Sequence, residues 1–202
     1  MKKVVIASNN THKISEIRNA LMFDGWTYFS LSEVGVESDP EENAETFEGN
    51  ARIKARAAHN ATGLAALADD SGLVVDALDG APGVLSARYA GIHGSDADNN
   101  AKLLEALADV PDDKRSARFV CSLVFVDEDG SETVAQGIIE GFIGHALQGS
   151  DGFGYDPLFL PVELKGEKTL AEIDQEQKNL ISHRGNALRA INEKISEKLN
   201  IF

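Results

Sequence analysis

Two adjacent acids, Asp69 and Asp70, are the residues best placed to do chemistry. They end an apolar run, residues 65–68, and are followed by Ser71-Gly72 and a second apolar run, residues 73–75. Neighbouring carboxylates at the end of a buried strand are costly unless a cation lies between them or they share a proton. A hard divalent cation meets that need. Asp, Ser and Gly are also ordinary turn residues. The pair alone therefore leaves two readings open, a plain turn or one wall of a metal site.

Residues 3–7 predict a first strand, and a polar loop, Ser8-Asn9-Asn10-Thr11, follows it. A helix comes next, with Ile14, Ile17 and Leu21 on one face. Strand, short polar loop and helix N-terminus together present backbone N–H groups to an anion. Lys13 falls in the first turn of that helix, where the macrodipole disfavours a cation. It is either a solvated lysine or one with a partner. A second strand is expected over residues 28–31.

The acidic loop of residues 37–42 also reads two ways. Asp39, Pro40 and Glu42 fit the cap, first-turn and capping-box positions of a helix. Alternatively, Glu41 or Glu42 is a metal ligand. Phe47, Ala51, Ala55 and Ala58 then recur at helical spacing, with Gly63 as the stop. Asn50 and Lys54, four apart, can face one target.

Further on, residues 79–83 form a turn, and Ser95 with Asp98 caps a helix bearing Leu103, Leu104 and Leu107. Residues 117–127 and 132–143 predict a strand pair around a turn at 128–130. In the glycine-rich loop of residues 149–157, Phe153 and Tyr155 offer a face to a planar base, unless the loop is merely flexible. The last helix carries Ala187, Ile191 and Ile195. His183 and Arg184 stand at its start, where a bound phosphate would relieve two cations opposed by the dipole. A capping or core histidine is the competing reading there.

The chain's 202 residues suffice for one large domain or two joined lobes. A formal charge of −14 argues against long nucleic acid but not against a small polyanion met by local cations. No apolar run reaches the roughly 20 residues of a membrane helix, and the opening is too short for a secretory signal. The single cysteine, Cys121, fits a reducing compartment and reads as a buried filler. Walker and dinucleotide glycine motifs are absent, as is zinc-type histidine spacing. Oxygen ligands point to magnesium or manganese.

Taken in order, five blocks carry a resemblance: VVIASNNTHKISEI (4–17), FEGNARIKA (47–55), ALADDSGLVVDALDGAPGVLSARYAG (66–91), GFGYDPLF (152–159) and KNLISHRGNAL (178–188). The chain resembles the inosine/xanthosine triphosphate pyrophosphatase family nearly end to end. That family's first loop usually reads Thr-Gly-Asn-x-x-Lys; here Ser8 keeps the hydroxyl and Asn9 replaces glycine, as a residue tolerant of positive φ. The resemblance implies an α/β fold, with a long central mixed sheet flanked by helices and two lobes with a cleft between them, all in one domain spanning 1–202. It implies a cytoplasmic homodimer with no nucleic-acid or membrane partner.

The implied reaction is hydrolysis of ITP, dITP or XTP to the monophosphate and diphosphate. Glu41 and Asp70 would hold magnesium (or manganese), and Asp70 would orient or deprotonate the water. Ser8, Asn9, Asn10, Thr11, His12 and Lys13 would hold the triphosphate, with Ser71 beside the acids. Phe153, Gly154, Tyr155, Asp156, Lys178, His183 and Arg184 would hold base and sugar. The rival expectations are a pyrophosphatase for modified pyrimidine or ordinary deoxynucleotides, and a nucleotide sensor without catalysis.

Overall fold

The computed structural model describes residues 1–21, 23–91 and 95–199. The elements are β1 (Lys2–Ile6), α1 (Thr11–Ala20), β2 (Trp26–Ser30), α2 (Phe47–Thr62), β3 (Ala65–Val75), α3 (Asp96–Ala106), β4 (Ser116–Val126), β5 (Glu132–Ile143), β6 (Phe159–Pro161), α4 (Gln175–Ile181) and α5 (His183–Leu199). The fold is mixed α/β, as expected. Its six strands run in the order β2-β1-β3-β4-β5-β6. β1 pairs in parallel with β2 and β3, whereas β5 and β6 are antiparallel.

The chain divides into two compact units, Met1–Asp70 with Cys121–Gly137 and Arg184–Phe202, and Ser71–Val120 with Ile138–His183. In the first unit two apolar clusters form by strand alternation. Ala65 and Leu67 of β3 join Val4, Ile6, Ile17 of α1 and Ala187, Ile191 and Ile195 of α5. Ala66 and Ala68 join Val5 and Ala51, Ala55 and Ala58 of α2. Successive strand residues face opposite sides, so β3 is covered on both, and small alanines let α2 approach closely. The second unit has its own core, with Leu73, Leu103, Leu107, Phe119, Ile139, Tyr155 and Phe159.

Helix ends follow local chemistry. Asn10 caps α1 by accepting from the His12 and Lys13 amides at 3.0 and 3.2 Å. Ser95 and Asp98 form the expected capping box on α3. Gly63, at φ 68°, ends α2 and donates to the His59 carbonyl.

Three expectations need correction. β3 does not turn at Ser71-Gly72; it runs unbroken through both acids for 11 residues. No helix starts at Asp39, because α2 begins at Phe47 and Thr46 supplies its cap, accepting from the Gly49 amide at 3.0 Å. The Asp39-Pro40-Glu42 pattern is thus no cap, and Glu42 is released for another role. Asn9 does not use left-handed backbone; among the described residues only Asp79 and Lys165 do so without being glycine. Cys121 is a buried filler, and burial together with nearby Asp69 pushes its thiol up to about 12.

Candidate active site

Because β3 continues through them, Asp69 and Asp70 are consecutive strand residues and face opposite sides. Their direct ion pairs differ, Lys13 with Asp69 and Lys54 with Asp70. Asp69, 2% exposed, lies on the α1/α5 side. Its carboxylate receives Lys13 Nζ at 2.9 Å and Arg184 at 3.3 Å. Arg184, also 2% exposed, reaches Glu16 of α1 with its other arm at 2.7 Å. Lys13 therefore has the partner that its place against the helix dipole required. Burial opposes ionisation of Asp69, but Lys13, Arg184 and Lys54 overcome it and hold the acid well below the usual carboxylate range. Burial likewise disfavours the Arg184 charge, yet Asp69 and Glu16 hold it firmly protonated.

Asp70 lies on the α2 side. Asn50 Nδ2 donates to it at 3.2 Å, and Lys54 Nζ stands 3.5 Å away. Asn50 and Lys54 thus converge on one target, as their spacing predicted. Asn50 Oδ1 accepts from the Ala44 amide at 3.0 Å, which ties the acidic loop to α2. That loop brings Glu42 to 3.3 Å from the same Lys54 ammonium. Glu41, in contrast, is exposed. Glu42 is the loop acid that shares the Lys54 ammonium with Asp70. Burial, with Glu42 and Asp69, raises the Asp70 carboxyl against the pull of Lys54. Burial works against the Lys54 charge as well, but Asp70, Asp69 and Glu42 raise its pKa on balance.

The Ser8–Lys13 segment holds much of its own hydrogen bonding. Ser8 Oγ accepts from the Asn10 amide at 3.1 Å, and the His12 and Lys13 amides go to Asn10. The expectation that these amides stand ready for phosphate meets a loop already capped from within. Ser8, Asn9 and Thr11 line a cavity of about 390 Å³ with Ser15, Arg18 and Ser30.

In the second unit the glycine-rich loop is firmly fixed. Asp156 is buried; its Oδ2 accepts from Lys178 Nζ at 2.5 Å and from the Phe153 amide at 2.9 Å. The Lys178 ammonium also sits 4.7 Å from the centre of the Phe153 ring. Gly152 is required at φ 77°, since a Cβ there would come within 2.2 Å of Asp156 Oδ2. Tyr155 offers no open ring face: it is in the core, and its hydroxyl donates to the Ser86 carbonyl at 2.8 Å. Gly154 is held by α3 through Asp96 and Asn100. His183 is stacked on Phe119 at 4.8 Å. Ser71 is half-buried on β3.

The structure therefore gathers Phe153, Asp156 and Lys178 into one cluster, while Arg184 is paired with Asp69 and Glu16. Sequence reasoning missed Glu16, the pairing of Glu42 with Lys54, and the α3 residues. Asn99 and Asn100 are both buried within one turn of Leu103, and polar residues entering an apolar stripe were the available signal.

Among relatives, a dITP/XTP pyrophosphatase of Clostridium perfringens is 47% identical over 201 residues, covering 96% of this chain and 98% of that one. One of Yersinia pestis is 50% identical over 191 residues, covering 94% and 95%. Among solved structures, a HAM1 protein from Coxiella burnetii aligns with a TM-score of 0.89 at 42% identity, covering 98% of this chain and all (100%) of that one. The model of the Ham1 family matches residues 4–194. With that match and those relatives, the chain belongs to the Ham1 family.

Proposed function

We propose that this protein hydrolyses non-standard purine nucleoside triphosphates, ITP, dITP and XTP, to the monophosphate and diphosphate. The observation that carries the reading is the convergence of Asp70 and Glu42, from separate segments, on the Lys54 ammonium. A cation already sits where two carboxylates meet, and the donors are all oxygen, which suits magnesium or manganese. Among the described residues no three acids, histidines or cysteines gather around one point. A metal held by Asp70 and Glu42 would complete its shell with water and phosphate oxygens, as magnesium commonly does. Bound there, it would neutralise phosphate charge and acidify the attacking water.

The chain's own residues divide the remaining work. Asp70, fixed by Asn50, orients the water toward the α-phosphorus and receives its proton. Lys54 and Lys13 supply positive charge to the triphosphate, with the Ser8–His12 loop beside them. Phe153 gives the purine a ring to lie on. Lys178, held by Asp156, directs a donor to the 6-keto oxygen of hypoxanthine or xanthine. Adenine presents an amino group there; leaving a buried donor unmatched discriminates by up to about 10⁴. The relatives' printed activity, dITP/XTP pyrophosphatase, supports the same substrates. One two-lobed domain, a homodimer and a cytoplasmic location belong to the proposal too, and sedimentation of the purified chain tests the dimer.

A panel of inosine, xanthosine, guanosine, adenosine and deoxythymidine triphosphates with magnesium, scored for diphosphate against orthophosphate, tests the reading. Diphosphate from the first two alone is expected. Preferential cleavage of deoxythymidine triphosphate, or tight binding without product, would replace it with one of the rivals.

A further inference from the structure

Two polar residues occupy the start of the α3 stripe that continues as Leu103 and Leu107. Asp96 and Asn100 are four apart and so share a face. Both reach the same residue of the glycine-rich loop. Asp96 Oδ2 accepts from the Gly154 amide at 2.6 Å, and Asn100 Nδ2 donates to the Gly154 carbonyl at 2.9 Å. Gly154 has φ 62°, so the direction of its peptide groups is set by what holds them, not by a side chain.

Asn100 bears a cost for this. It is 4% exposed, and its Oδ1 is buried with no hydrogen-bond partner. The amide cannot be turned round, because Oδ1 would then face the Gly154 carbonyl. A half-satisfied amide in an apolar stripe is destabilising relative to leucine. Asp96 alone could be explained as a first-turn acid favoured by the helix dipole; Asn100 has no such explanation. What the pair achieves is to clamp both peptide groups of the residue next to Phe153.

We infer that Asp96 and Asn100 are positioning residues for base recognition, fixing Gly154 so that the Phe153 ring and the Lys178–Asp156 pair meet a keto-purine in one geometry. The inference rests on the reading of that loop as the base-holding segment. Both residues act through Gly154, so their loss acts on KM and on base preference, not on kcat.

The test measures steady-state diphosphate release from inosine and adenosine triphosphates, with thermal unfolding of each variant. For Asn100→Leu the expected result is a melting temperature equal to or above that of the unaltered chain. Its KM for inosine triphosphate should rise about tenfold with kcat within about twofold, and its preference over adenosine triphosphate should fall about tenfold. Asp96→Ala should shift KM the same way. Asp96→Asn, whose amide oxygen still accepts from Gly154, should restore it. Unchanged KM and preference in both Asn100→Leu and Asp96→Ala would overturn the inference while leaving the proposed function standing. Absence of diphosphate from the unaltered chain would overturn both.

Discussion

The two faces of β3 at its central acids behave as opposites. On the α1/α5 side Asp69 is enclosed by two cations, fully ionised and bound into a network with Lys13, Arg184 and Glu16. On the α2 side Asp70 shares one lysine with a second acid, and its carboxyl is raised. Balanced charge on one face, two cations with two acids, and surplus negative charge on the other, one lysine with two acids, follow from a single step along the strand. Asp69 thus holds the fold together, whereas Asp70 has unspent capacity for a further cation. A buried ion pair is costly to break because the survivor is left uncompensated; a carboxylate facing another carboxylate is the opposite case.

The largest expected effect breaks the first face. Asp69→Asn should lower unfolding stability by about 3–5 kcal/mol, since Lys13 and Arg184 lose their shared counter-ion. Denaturant midpoints check this, and a loss under about 1 kcal/mol would remove Asp69 from its structural role. Next is pH, measured with chelator present. The Asp69 carboxyl is lowered in the fold, so its stabilisation is complete above the unfolded value of about 4 and disappears as pH falls through the folded one. The gap between the unaltered chain and Asp69→Asn should close in acid. Asp70 is raised, so it gives the reverse sign: the fold loses stability as pH climbs through the folded value. The gap between Asp70→Asn and the unaltered chain should open in that range, in favour of the variant.

How much of this was legible follows from what each feature depends on. The stripe of α2, the Ser95 box and the target shared by Asn50 and Lys54 are set within one or two helical turns, and they were read correctly. Ser71-Gly72 carries good turn chemistry, but neighbouring strands kept β3 extended, as tertiary pairing overrides local preference. Asp39-Pro40-Glu42 and Thr46 are both adequate caps, and only the partner of Glu42, 12 residues on, decides between them. Lys13 announced a missing partner through the dipole, but that partner lies 56 residues along the chain, beyond any periodicity. Tyr155 as a core ring and Tyr155 as a stacking platform have the same sequence. β6 and α4 are too short to show a period at all.

Smaller effects sharpen the contrast between Glu41 and Glu42. Glu42→Gln should raise the magnesium needed for half-maximal turnover by about tenfold, and Glu41→Gln should leave it within about twofold. Equal shifts would return the exposed acid to the site. The least effect is expected for Tyr155→Phe, which loses one hydrogen bond to the Ser86 carbonyl and about 1 kcal/mol of stability, with KM little altered. A large KM change there would give Tyr155 a direct role in holding the base.

The division of labour between the two acids is tested most directly by Asp70→Asn, assayed for diphosphate release from inosine triphosphate with saturating magnesium on protein whose unfolding curve is recorded in parallel. The account predicts turnover reduced by at least about 10³ and a melting temperature no lower than that of the unaltered chain. Turnover retained in a well-folded variant would contradict it.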